Sequence, residues 1–70
     1  METIKIQTEF IKLDSLLKFA GFAATGGEAK QLIAEGLVLV NDEACLMRGK
    51  KIRPGDRVRV ADQELTVVGA

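Results

Sequence analysis

The 70-residue chain has no histidine, tryptophan or tyrosine, and only one cysteine and one proline. With no His, and Cys45 as the only thiol, the usual zinc ligand sets cannot be assembled and an internal disulfide is excluded. Cys45 is therefore read as a half-buried apolar side chain. The only serine, Ser15, falls inside a predicted helix with no base in view, so nucleophilic catalysis has no starting point. Asp14, Glu28, Glu35, Asp42 and Glu43 have ordinary capping, turn or solvated-face roles. No enzyme activity and no cofactor are expected. Neither the dinucleotide fingerprint nor the Walker spacing is present. The N-terminus lacks the basic start and apolar stretch of a secretory signal, and no run approaches the ~20 apolar residues of a membrane span. The expectation is a cytoplasmic monomer with no membrane contact.

What the chain does have is a separation of charge. Ten bases and ten acids give a formal net charge of zero. Residues 44–60 nevertheless carry Arg48, Lys50, Lys51, Arg53, Arg57 and Arg59 against Asp56 alone, a local net charge of +5. The remainder carries four bases against nine acids, or −5. A ligand meets the local field rather than the average, because charges beyond a Debye length of roughly 8 Å at physiological salt cancel it incompletely.

Seventy residues, 47% of them hydrophobic, make one folded domain spanning residues 1–70. Its net stability is on the order of 3–5 kcal/mol. Ile4 and Ile6 alternate with Lys5 and Gln7, the period of a half-buried strand. Leu13, Leu16, Leu17 and Ala20 then repeat at helical spacing, and Gly21 ends that helix. Thr25 fits an N-cap and Glu28 its capping-box partner, opening a second helix that buries Ala29, Leu32 and Ile33 and stops at Gly36. Gly26 and Gly27 in its first turn each cost roughly 1 kcal/mol relative to Ala, which points to close backbone approach there. Strands are predicted for Leu37 to Val40 and for Glu43 to Leu46, joined by a tight turn at Asn41 and Asp42. Arg53, Pro54, Gly55 and Asp56 form a second turn. Val58 and Val60 then point inward with Arg57 and Arg59 on the opposite face, and Asp62 and Gln63 lead to a last strand, Glu64 to Val68.

A concentrated basic run selects phosphates as partner. Phe10, Phe19 and Phe22 all lie on or beside the helical hairpin and are expected in the core. Without an aromatic platform on the surface, stacking on single strands is not the main mode, which leaves shape and backbone recognition of structured RNA. Helix two carries no cluster of Arg, Asn and Gln at recognition spacing, and Lys30 and Gln31 alone are too little for reading the DNA major groove. The competing class is an adaptor that docks a protein through the separated acidic and basic faces. A ubiquitin-like carrier would need a terminal Gly-Gly, and the chain ends Gly69, Ala70.

The order Leu13, Asp14, Lys18, Thr25, Ala29, Leu32, Ile33, Gly36, Val38, Val40, Asn41, Gly55, Asp56 resembles the S-four RNA-binding domain, named after the fourth small-subunit ribosomal protein. The match covers about Leu13 to Val60, and the run Gly26 to Lys30 is similar to short stand-alone bacterial members. The resemblance implies an α+β fold in which a two-helix hairpin packs on a small, bent, mostly antiparallel sheet. It also implies structured RNA as the partner, ribosomal RNA or the ribosome being candidates, over a surface formed by the helices and the following loop. Carried across by position, the RNA-binding residues are Lys12, Lys18, Lys30, Asn41, Arg48, Lys50 and Lys51, with Asn41 equally explained by its turn. Local charge adds Arg53, Arg57 and Arg59. Two positions depart from the family pattern: Gly26 where relatives carry Arg, and Asp42 where they carry Gly. The expected affinity is accordingly modest.

Overall fold

The computed structural model describes residues 2–69. Its elements run β1 (Glu2–Ile6), β2 (Ile11–Lys12), α1 (Leu13–Phe19), α2 (Gly26–Ala34), β3 (Val38–Val40), β4 (Glu43–Ala44), β5 (Lys51–Ile52), β6 (Arg57–Val60) and β7 (Gln63–Gly69).

Both helices end as their glycines dictate. After α1, the Gly21 amide donates to the Lys18 carbonyl at 3.2 Å and the Phe22 amide to the Leu17 carbonyl at 2.9 Å, with Gly21 at φ 86°. After α2, Gly36 donates to Ile33 at 3.0 Å and Leu37 to Leu32 at 3.1 Å, with Gly36 at φ 74°. Each pair of bonds is a Schellman closure, which needs the left-handed conformation that a Cβ disfavours. Both helices stop sharply, so they fold back as a hairpin.

Thr25 caps α2, its Oγ1 accepting from the Glu28 amide at 3.2 Å. The returning bond lands one residue earlier than a standard capping box: Glu28 Oε2 accepts from the Ala24 amide at 2.8 Å. The expected close approach at Gly26 and Gly27 is not found. A Cβ at Gly26 would meet nothing within 4 Å, and one at Gly27 only Thr25 Oγ1 at 3.7 Å.

The main sheet has strand order β1-β7-β6-β3-β4 and is antiparallel except for the parallel β1–β7 edge, where Glu2 pairs Leu65 and Ile6 pairs Gly69. β3 and β6 pair Val38 with Val60 and Val40 with Val58, so alternate valines share the inward face. Asn41 (φ 50°) and Asp42 (φ 72°) form the two-residue turn between β3 and β4; two successive positive φ values suit the right-handed twist of the flanking strands. The Asp56 amide donates to the Arg53 carbonyl at 3.0 Å, closing the turn through Pro54 and Gly55. Leu13, Leu16 and Leu17 of α1, Ala29 and Ile33 of α2, and Val38, Ile52, Val58, Leu65 and Val67 of the strands merge in one buried cluster. Cys45 packs half-buried against it. The architecture is the expected α+β one, a helical hairpin with a small, mostly antiparallel sheet.

Three boundaries differ from the sequence reading. β4 stops at Ala44 instead of reaching Leu46: after the Cys45 amide bonds to the Val38 carbonyl at 3.0 Å, the chain leaves the sheet toward α1. The turn before β7 is Ala61 and Asp62, with Gln63 already paired to Val60. β2 and β5, which form a separate two-stranded ladder, were not expected at all. The phenylalanines also differ. Phe10 and Phe22 are half-buried, while Phe19 is 65% exposed. At about 100° per residue, Phe19 lies roughly 110° from the centre of the leucine stripe, so the helix that buries the leucines turns Phe19 out.

Candidate nucleic-acid interface

The residue before α1 is Lys12, whose side chain makes no cap, so the first amides of the helix need acceptors from elsewhere. The basic loop supplies them. The Leu13 amide donates to the Lys50 carbonyl at 2.9 Å and the Asp14 amide to the Arg48 carbonyl at 3.1 Å. Beside these bonds, β2 and β5 pair Ile11 with Ile52 and Lys12 with Lys51. Ile52 is fully buried and anchors the ladder. A reverse turn, with the Lys50 amide on the Met47 carbonyl at 3.1 Å, shapes the loop between. Four cations, Lys12, Arg48, Lys50 and Lys51, are thereby gathered at the N-terminal end of α1.

A fifth joins from the second helix. Lys30, Gln31, Ile33 and Ala34 of α2 face Leu46 and Arg48 of the loop across an open groove of about 380 Å³. Lys30 and Arg48 are the charged groups lining it, one from each side.

This cluster is electrostatically unsatisfied. Lys12 and Lys51 are direct register partners, and like charges directly opposite on paired strands repel. Lys12 also sits at the positive end of a helix. Lys51 Nζ lies 4.9 Å from the centroid of the Phe10 ring, which attracts the ammonium without neutralising it. Among the described residues, neither ion pair includes a member of the cluster.

The other residues singled out from the sequence lie elsewhere. Lys18 is in the last turn of α1, where it complements the helix dipole. Arg53 follows β5 in the Pro54–Gly55 turn, its amide held by Asp56 Oδ2 at 2.8 Å. Arg57 is neutralised, with Nη2 2.8 Å from Asp42 Oδ2 and Nη1 4.0 Å from Glu64 Oε1. Arg59 lies on the exposed side of β6, its Nε donating to the Ala61 carbonyl at 3.2 Å. Asn41 is occupied at both ends of its amide: Oδ1 accepts from the Arg57 amide at 2.9 Å and Nδ2 donates to Asp56 Oδ1 at 3.1 Å. Those bonds tie the β3–β4 turn to the start of β6. Asp42, at a position where Gly would be less strained, provides the carboxylate that holds Arg57.

The role of Asn41 is directly measurable. Asn41→Ala removes two exposed hydrogen bonds and puts at φ 50° a residue that tolerates the left-handed conformation less well than Asn, an expected loss of about 2 kcal/mol. Asn41→Gly keeps the backbone freedom and should lose about half of that. Urea midpoints order the three proteins; equal midpoints for Asn41→Ala and the native chain would remove the structural role.

Sequence reasoning missed two apolar groups at this surface. Leu46 and Met47, expected at the end of a strand and beyond it, are each 67% exposed in the loop. The signal for the excursion was the missing cap residue before Leu13. Among the described residues no group of His, Cys, Asp and Glu could hold a metal ion, and no helix is long and apolar enough to cross a membrane.

Comparison with known proteins adds an independent line. The family model described as "S4 domain" matches residues 4–68. The probable ribosome maturation protein RlbA of Bacillus subtilis (strain 168) is 46% identical over 57 residues, covering 81% of this chain and 80% of that protein. The small ribosomal subunit protein uS4 of Coxiella burnetii (strain CbuG_Q212) is 39% identical over 62 residues, covering 84% of this chain but 30% of that protein. Among solved structures, the solution structure of YbcJ from E. coli, described as revealing a motif involved in RNA binding, superposes with a TM-score of 0.74 at 33% identity. It covers 97% of this chain and 87% of the YbcJ chain.

Proposed function

The chain belongs to the S4 domain family, and from that premise we propose that it is a cytoplasmic, non-catalytic module that binds structured RNA by its phosphate backbone and serves the ribosome or its maturation. The observation that carries the reading is the cluster of Lys12, Arg48, Lys50 and Lys51, held by backbone bonds and strand register, with Lys30 across the groove, none of which makes an ion pair among the described residues. Folding like charges together costs free energy, and a polyanion returns it on binding. The RNA-binding description of YbcJ and the ribosome-related names of RlbA and uS4 support the same assignment. Lys18, Arg53 and Arg59 lie outside the cluster and contribute long-range attraction; Arg57 and Asn41 serve the fold.

The test is the salt dependence of binding to ribosomal RNA fragments. With about four phosphates neutralised, log affinity should fall against log salt with a slope of roughly −3 to −4, taking the duplex coefficient near −0.9 per phosphate. A slope near zero sinks the phosphate reading. A second reading draws on a groove on the other flank of α2, lined by Phe22, Glu28, Gln31, Leu32 and Glu35. Its two carboxylates suit a basic protein segment, and an adaptor working through it would bind protein and leave RNA alone.

A further inference from the structure

We propose that the groove between α2 and the 45–50 loop holds an unpaired nucleobase, seated on Leu46, with the phosphates on either side of it taken by Lys30 and Arg48. The inference rests on the RNA-binding reading and names what that RNA must present.

A surface that bound phosphates alone would need no apolar side chains, yet the loop holds Leu46 and Met47 out at 67% exposure each. Their exposure is built in rather than frayed. The loop leaves the sheet at Cys45, whose amide is bonded to Val38, and is tied to α1 through the Arg48 and Lys50 carbonyls. Within the groove, Ile33, Ala34 and Leu46 supply apolar surface while Lys30 and Arg48 supply the charge. A nucleotide has the matching pattern, an apolar ring face between two anionic links.

The base must be unpaired. In an A-form duplex the ring faces are stacked and only edges and backbone are presented, so a bulge or loop is needed to bring a face to Leu46. The volume, about 380 Å³, lies within the roughly 300–1,000 Å³ of small-ligand sites. The opposite groove on α2, with Glu28 and Glu35 in its lining, has apolar residues too but would repel the flanking phosphates. Charge therefore favours one groove over the other.

The test compares two synthetic RNA hairpins with the same stem, one fully paired and one carrying a single bulged adenine, by fluorescence anisotropy with the full chain. The native protein should bind the bulged hairpin on the order of tenfold more tightly, the scale of taking about 55 Å² of apolar surface out of water. Leu46→Ser should abolish that ratio while keeping the salt slope, and Leu37→Ser, an exposed apolar control, should keep both. Matching melting temperatures would show that the variants are folded. A Leu46→Ser protein that retains the preference, or a native chain that binds both hairpins equally with a normal salt slope, overturns the base site while leaving RNA binding intact. In that case the apolar loop serves a protein contact. Failure of the native chain to bind either hairpin in a salt-dependent way overturns the RNA reading itself, and the base site with it.

Discussion

Ile52→Ala is expected to leave the chain largely unfolded. Ile52 is fully buried in a strand of two residues, and truncating a buried isoleucine to alanine costs about 2–5 kcal/mol. A domain of this size holds on the order of 3–5 kcal/mol in total. Ile52 belongs to the same core as Leu13 and Leu65, also fully buried, so the gap would open inside packed apolar surroundings. Ile52→Val removes one methylene and should cost about 0.5–1.5 kcal/mol, a fall in melting temperature of roughly 4–8 °C per kcal/mol. Circular dichroism melts of the two variants decide the matter: a native-like transition in Ile52→Ala would mean that the Ile52 side chain does not anchor the core.

The same substitution connects packing to function. Ile52 pairs Ile11 in the ladder that sets Lys12 opposite Lys51, and the adjoining loop carbonyls hold the start of α1. Loss of the anchor therefore scatters the cations as well as the core. Leu46→Ser in the neighbouring loop should change the melt little, because its side chain is already 67% exposed.

How far the sequence could be read follows from the range of each signal. Gly21, Thr25 with Glu28, and Gly36 mark helix ends because capping is decided within four or five residues, and both helices ended there. The alternation of Val58 and Val60 with Arg57 and Arg59 marked β6 for the same local reason. The β2–β5 ladder left no such trace: two residues have no period, and its partners are about forty positions apart. The division of the basic run was equally hidden. Arg57 and Lys51 look alike in sequence, but the fold brings Arg57 to Asp42 of the β3–β4 turn and, diagonally across the β6–β7 ladder, to Glu64, whereas Lys51 faces Lys12. Phe19 was misplaced because aromatic character was weighed above its angle on the helix.

Charge reversal at Lys50 and Lys51 should produce the largest change in binding. Each phosphate contact in the counterion-release picture is worth about 0.9 log units per decade of salt, or roughly fivefold in affinity at physiological ionic strength relative to 1 M. Losing two contacts costs roughly 30-fold, and the repulsion from two new carboxylates takes the loss of Lys50→Glu, Lys51→Glu to on the order of 100-fold. The salt slope should flatten by about two. The fold should survive, because both side chains are exposed and what Lys50 gives to α1 is its carbonyl. The double variant removes the repulsion between positions 12 and 51 but also the Lys51–Phe10 contact, two effects of similar size and opposite sign, so its melting temperature should stay close to that of the native chain. Arg57→Glu provides the contrast: it breaks the pair with Asp42 in a region away from the cluster and should lower stability while changing the salt slope little. Crosslinking from cells reads the same difference. Undiminished RNA recovery with the double variant would remove the basic loop from the interface and leave the acidic groove of α2 as the functional surface.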